Sequence, residues 1–273
     1  MNQHTQPQPS PVPVTKNHVA LCAALLDQVA RSPHARDPVD AAVCGSHLAA
    51  VRTARPGHMP RLGLAARVIH NASEMKQVKM DGHEGPPPSG TSALAIAREL
   101  GALRRDAPLA PSWALAACNA LLPTPDARDE VSGQELIYRH GAGKRVAVVG
   151  HFPFVEKMGP EFAALWVLEI NPRPGDLPAS DADGIIPRAD VVAITSMALQ
   201  NGTMGGLLAL CAPGAFVMVL GPGTPLAPVL FEHGVHALAG VVVTDAGMVM
   251  DGVARGDSFR QLSGVRRVVL VRG

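Results

Sequence analysis

Short, nearly continuous apolar runs dominate the second half of the chain, and polar or helical stretches separate them. Strands that are buried on both faces of a parallel sheet have this uniform Val, Ile and Leu character, because helices cover both faces. The alternation predicts a Rossmann-like α/β domain with a parallel sheet over residues 144–273. Its predicted strands are residues 145–149, 165–170, 191–195, 215–220, 240–244 and 268–271.

The chain begins with a different pattern. Residues 1–16 are rich in Pro, Gln and Ser, which predicts a disordered tail. Apolar residues then recur at helical spacing from Asn17, and the helix is expected to end at Pro33. Residues 39–53 and 62–70 have the composition of two strands, with a turn rich in Pro and Gly between them.

Two helical patterns follow, at about residues 92–103 and 111–122. Strands followed by helices predict a small α+β domain over residues 17–123. Residues 124–143 are polar with few apolar positions, and we interpret them as the linker to the second domain.

Composition narrows the classes of function. The chain has 273 residues, a formal net charge of +1 and only 3% aromatic residues, so nucleic-acid binding is not expected. No apolar run reaches the length of about 20 residues that crosses a bilayer, and no membrane partner is expected. Four scattered cysteines without a CxxC pair favour a cytoplasmic protein over a disulfide-rich one. A homodimer is expected only because dimers are common.

Candidate chemistry lies where the predicted parallel strands end, since ligands of open α/β sheets bind outside the carboxyl ends of the strands. Polar or glycine-rich sequence follows five of the six predicted strands. The five positions are His151, then Glu169 to Asn171, then Asn201 to Thr203, then Gly221 to Thr224, and Asp245. Their recurrence predicts a ligand site at this edge of the sheet.

The residues leave more than one ligand open. No G-x-G-x-x-G follows the first strand, which weakens a dinucleotide site, although Glu169 lies where Rossmann proteins hold ribose hydroxyls. Four side chains offer N and O donors that suit a divalent metal, but no compact ligand motif is present. These are His151, Glu169, Asp176 and Asp245.

Two further features bear on the site. The crossover at residues 171–188 contains four prolines and no helical period, and we interpret it as a flap that brings Asp176 near Glu169. Thr203 and Thr224 fit helix N-caps, and the same positions would suit an anionic ligand.

Ordered motifs in this chain resemble a known family. VVGHFPF, LEINPRPGDLP, ADVVAITSMALQNGT, LGPGTPLAPVLFEHGV and GVVVTD resemble, in order, the Rossmann-like family described as "Putative heavy-metal chelation", a domain of unknown function. PPSGTSALAIARELGAL and SWALAACNALL resemble its companion domain, which has an enolase N-terminal-like fold. Two departures are the loose match of residues 44–47 to an early strand and Ser196 at a position where glycine is commoner.

The resemblance implies a cleft between two domains that handles a heavy metal or a metal complex. It implies ligand-binding roles for the strand-end residues named above and for Asn119 of the first domain. The first hypothesis is therefore a binding or chelation protein with His151, Glu169, Asp176 and Asp245 as metal ligands. The alternative is an enzyme that acts on a small anion with a nucleotide or S-adenosylmethionine-like cofactor, with His151 as general base or acid.

Overall fold

The computed structural model of the protein describes residues 15–68, 85–102, 107–125 and 132–273, and two β-sheets organise them. A three-stranded antiparallel sheet has the order β1-β2-β3, and a seven-stranded sheet has the order β10-β9-β8-β7-β4-β5-β6. The strands are β1 Val39–Cys44, β2 Leu48–Thr53, β3 Arg61–Ala66, β4 Arg145–Val149, β5 Ala164–Glu169, β6 Leu177–Pro178, β7 Val191–Thr195, β8 Phe216–Leu220, β9 Ala237–Val243 and β10 Val265–Val271.

Helices connect and cover these strands. The described residues also form three single 3-10 turns, at Val155–Lys157, Ala179–Asp181 and Ile186–Arg188. The α-helices are α1 Lys16–Ala30, α2 Ala93–Ala97, α3 Ala110–Leu121, α4 Gly133–Gly141, α5 Ala182–Ile185, α6 Met197–Gln200, α7 Met204–Leu210, α8 Val229–Glu232 and α9 Ala246–Arg255. Within the described residues, no helix is long and apolar enough to cross a membrane.

The small antiparallel sheet corrects one prediction. Residues 39–53 form two strands of a hairpin rather than one strand, because the chain turns at Gly45. The backbone N–H of Gly45 donates to the carbonyl of Leu48 across this turn. The third strand, β3, ends at Ala66, and residues 69–70 of its predicted extent lie outside the described residues.

The seven-stranded sheet confirms the predicted Rossmann-like domain. Strands β4 to β9 pair in parallel, and their order reproduces the doubly wound arrangement in which the chain starts at a central strand. β4 is that strand: the chain moves to β5 and β6 on one side and then crosses to β7 on the other. The last strand, β10, pairs antiparallel with β9, a detail that its apolar composition does not reveal.

Two segments that were expected to be irregular contain ordered elements. Residues 133–141 of the expected linker form α4, whose Leu136 and Ile137 are buried against the seven-stranded sheet. The expected flap at residues 171–188 contains β6, which pairs with β5, then α5 and two 3-10 turns. The crossover therefore contains short helical elements that its sequence did not indicate, with Pro178 in β6 and Pro187 within the last 3-10 turn.

The two sheets share one continuous hydrophobic core. Helix α1 has a buried apolar face, and it packs against α7 and α8 of the Rossmann-like part. Polar contacts add to this packing, since the side-chain amide of Gln200 donates to the carbonyl of Ala66 at 2.8 Å and to the hydroxyl of Ser112 at 3.2 Å. The antiparallel sheet is thereby fixed beside the carboxyl ends of the parallel strands.

Contact between α1 and α7 can be tested with two adjacent glycines. A Cβ on Gly205 would overlap the backbone N and Cα of His18, whereas a Cβ on Gly206 would lie 3.5 Å from Thr15 Cγ2. We expect Gly205→Ala to lower the free energy of unfolding by about 1–3 kcal/mol, because backbone must move apart. We expect the matched control, Gly206→Ala, to be neutral or stabilising by up to about 1 kcal/mol. Chemical denaturation measures both, and equal effects would contradict this packing.

Candidate functional site

His151 lies at the topological switch point of the parallel sheet. It follows β4, from which the chain continues to β5 on one side and later crosses to β7 on the other. Ligands of doubly wound sheets bind in the crevice that forms where the connections part in this way. Gly150 makes the turn out of β4 with a φ of +101°. A Cβ at this glycine would lie 3.1 Å from Thr195 Cβ, so the close approach of β7 also favours glycine.

Glu169 fixes the backbone around this turn. Its Oε2 accepts a hydrogen bond from the backbone N–H of His151 at 2.8 Å. Its Oε1 accepts from the backbone N–H groups of Ile170 at 2.7 Å and Asn171 at 3.3 Å. The carboxylate therefore joins the ends of β4 and β5, and these three bonds compete with ribose hydroxyls or a metal for its lone pairs.

Asp176 orients the His151 ring. Its two carboxylate oxygens lie 3.0 and 2.9 Å from His151 Nδ1, and Oδ2 also accepts from the backbone N–H of Arg173 at 3.0 Å. The side chains of His151 and Asp176 are only 7% and 4% exposed. A carboxylate can only accept, so Nδ1 carries the hydrogen and Nε2 of a neutral ring is left with its lone pair.

The remaining nitrogen of His151 is buried and lacks a hydrogen-bond partner within the described part of the chain. The acidic atom near it is Glu156 Oε1, at 3.5 Å, on a side chain that is 66% exposed. Glu156 was not predicted from the sequence, because it lies in the 3-10 turn five positions beyond His151 and does not directly follow a strand. A buried, oriented imidazole beside a carboxylate can bind a cation or accept a proton.

The predicted metal ligands do not all meet. His151, Glu169 and Asp176 lie together, but Asp245 caps α9, where its Oδ1 accepts from the backbone N–H of Met248 at 2.9 Å. β9 lies three strand spacings from β4, which is about 14 Å. Across residues 15–68, 85–102, 107–125 and 132–273, no three His, Cys, Asp or Glu side chains are arranged to hold a metal ion.

Other predicted residues mostly have local partners. Asn201 Oδ1 accepts from the backbone N–H of Thr203 at 3.2 Å and from its hydroxyl at 2.7 Å. Thr203 stands at the N-cap of α7, but its side chain makes no capping bond. The side chain of Asn171 is exposed, and only its backbone contacts Glu169. Gly221 follows β8 with a φ of +130°, and a Cβ there would lie 2.9 Å from Ser196 Oγ.

Thr224 and Asn119 lie together at a second place on the same edge. Asn119 Nδ2 donates to the carbonyls of Leu64 at 2.8 Å and Gly223 at 3.0 Å, which joins α3, β3 and the loop after β8. Both residues line a pocket between the two sheets. The prediction that Thr224 caps a helix is wrong, because α8 begins only at Val229.

These features define the class of the protein. It is an α/β chain in which a Rossmann-like sheet follows a small α+β part, as the sequence predicts. Polar side chains gather at the carboxyl ends of its parallel strands, where proteins of this class bind small ligands.

The chain belongs to the DUF364 family, described as "Putative heavy-metal chelation", whose model matches residues 133–272. It resembles a protein of unknown function from this family in Desulfitobacterium hafniense, with 26% identity and a TM-score of 0.72, over 95% of this chain and 100% of that one. A family member of unknown function from Pyrococcus horikoshii shares the fold, with 19% identity and a TM-score of 0.73 over 94% and 100% of the two chains. No curated protein matches.

The role of Glu169 can be tested by Glu169→Gln. The amide would present N–H hydrogens to one or more backbone N–H groups that now bond to a carboxylate. We expect the free energy of unfolding to fall by about 2–3 kcal/mol, because hydrogen bonds to a charged acceptor are lost. Glu161→Gln, on an exposed side chain, is the matched control and should change it by less than about 0.5 kcal/mol. Urea denaturation measures both, and an unchanged stability of Glu169→Gln would contradict the assigned role.

Proposed function

We propose that the protein binds a heavy-metal ion or a metal-containing small molecule, with His151 as its imidazole ligand. The observation that carries this proposal is the buried Nε2 of His151, which lacks a hydrogen-bond partner among the described residues while Asp176 holds the other ring nitrogen. Metal-binding histidines are commonly oriented by a carboxylate in this way.

Glu156 supplies the second donor. Its Oε1 lies 3.5 Å from His151 Nε2, and two ligands on one tetrahedral zinc ion are separated by about 3.4 Å. Imidazole and carboxylate donors suit borderline divalent ions such as Zn²⁺, Co²⁺ and Ni²⁺. Glu169 and Asp176 would then act as positioning residues rather than as the direct ligands that the sequence suggested.

The small number of donors favours a metal complex over a bare ion. Two protein ligands leave at least two positions of a tetrahedral ion for other molecules. Water or the donor atoms of a small chelator would fill them. This would explain how a chain of a family described as "Putative heavy-metal chelation" can lack, among its described residues, a group of three or more protein ligands.

A second candidate function is an enzyme for which His151 accepts a proton from a small anionic substrate. The paired His151 and Asp176 favour it, because a carboxylate on Nδ1 fixes the tautomer in which Nε2 is the base. No glycine-rich phosphate loop follows β4, and three backbone N–H groups occupy the Glu169 carboxylate, which both count against the nucleotide-type cofactor of the alternative.

Metal binding is tested with Co²⁺, whose visible absorption reports its ligands. We expect protein without an affinity tag to bind about one equivalent, and His151→Ala to weaken binding at least tenfold. Asp176→Asn should weaken it about 10- to 100-fold, because the ring loses its orienting carboxylate. His58→Ala, on an exposed histidine, is the matched control and should bind as the parent does.

Equilibrium dialysis with metal analysis gives the affinities. The proposal fails if the parent protein binds no Co²⁺, Zn²⁺ or Ni²⁺, or if His151→Ala binds them as tightly as the parent. Loss of binding in Glu156→Gln would identify the second ligand.

A further inference from the structure

The two β-sheets present four edge strands within the described residues, and three of these edges are blocked. β6 has only two residues, one of which is Pro178, and proline has no backbone N–H. β1 has a register shift after Val39, whose N–H and carbonyl bond to residues 90–91. Two carbonyls of β3 accept side-chain amides from α3 and α6. Proteins protect exposed edges by such devices, which prevent pairing with other chains.

The fourth edge, β10, lacks these devices. It has seven residues, Val265–Val271, without a proline, and all of them pair with β9 in unbroken register. Among the described elements, β9 is the only strand or helix that packs extensively along β10. The outer side of β10 is therefore open to another strand.

Hydrogen bonds at both ends of β10 show which of its backbone groups face outward. Thr244 donates its N–H to the carbonyl of Gly264, and Arg272 donates its N–H to the carbonyl of His236. Hydrogen bonding alternates along an antiparallel pair, so the even-numbered residues of β10 bond to β9. The groups that point away from β9 are consequently the N–H and carbonyl groups of residues 265, 267, 269 and 271.

The side chains beside this edge suit a second copy of the same strand. Val269 lies near the middle of β10, and Val271 is 53% exposed at its end. Met248 is 56% exposed and lies beside Gly264, at the other end. A twofold axis between antiparallel strands brings the beginning of one strand to the end of the other. Pairing of two copies would therefore bring these exposed apolar ends together.

We propose that two copies of the chain pair through antiparallel β10 strands, about a twofold axis at Val269. The pairing joins the two seven-stranded sheets into one continuous sheet. Val269 faces its own copy, and Arg267 lies opposite the partner's Val271. Arg267 and the partner's Arg267 are then four residues apart along the strands, about 14 Å, so their charges repel each other only weakly.

Sedimentation equilibrium of the full chain tests whether this dimer forms. We expect a dissociation constant that is micromolar or tighter. The surface goes beyond the proposed metal site, because β10 lies four strand spacings, about 19 Å, from β4. His151→Ala should therefore dimerise as the parent does, and the two proposals can fail independently. A parent chain that stays monomeric well above micromolar concentration would overturn the pairing.

Val271→Pro tests whether the dimer uses the outer edge of β10. It removes an N–H that points away from β9, so each chain loses a bond across the axis and keeps its bonds within the sheet. We expect the dissociation constant to rise at least tenfold. Val271→Thr is the matched control, since it keeps the N–H and the β-branched shape, and it should stay within about threefold of the parent. A dimer that Val271→Pro leaves intact would place the contact elsewhere and overturn the proposal.

A charge exchange tests the register. Val271→Arg places a positive charge opposite the partner's Arg267, and like charges directly opposite each other destabilise a strand pair. We expect it to raise the dissociation constant at least about fivefold. Addition of Arg267→Glu to the same chain makes both cross-axis pairs attractive and should restore the parent affinity to within about threefold. Failure of this double variant to recover, with Val271→Arg impaired, would overturn the pairing about Val269.

Discussion

Glu169 joins the ends of two parallel strands through three backbone N–H groups, and the geometry of the His151 site depends on these bonds. Strand pairing fixes β4 beside β5, but it does not fix the chain once it leaves the sheet. The Glu169 carboxylate holds the His151 backbone beyond the last strand pair, and Asp176 then holds the ring. The imidazole is thereby positioned before any ligand arrives.

The same edge of the sheet carries two chemically different environments. The His151 environment has imidazole and carboxylate donors, whereas Asn119, Thr224 and Arg61 line the pocket between the two sheets among mainly apolar residues. Both arise because the antiparallel sheet packs near the ends of β7 to β9 and leaves the end of β4 to the crossover that carries Asp176. A metal ion suits the donors of the first environment.

Most of the fold could be predicted because strands buried on both faces are apolar throughout. β4 and β7 match their predicted bounds for this reason, and α3 follows from its apolar residues after Pro111. The turn at Gly45 was missed because small apolar residues continue on both sides of it. The antiparallel direction of β10 could not be predicted either, because a strand of either direction can have the same apolar composition.

The site was harder to predict, because a residue type does not reveal its partner. Asp176 was expected near Glu169, and both lie against His151. Whether Glu169 binds a ligand or backbone amides depends on the turn at Gly150, which no spacing in the sequence specifies. Asp245 was expected to bind metal, and its Oδ1 caps α9, because a carboxylate that directly precedes a helix suits the N-cap position.

The central claim is that His151 Nε2 is a metal ligand, and the most direct test is anomalous diffraction from crystals soaked in Co²⁺. Data collected on both sides of the cobalt absorption edge identify the metal without reference to any variant. The account predicts an anomalous peak about 2.1 Å from His151 Nε2, with Glu156 also in contact. A peak bound only to other residues, or no peak in crystals that diffract well, would contradict it.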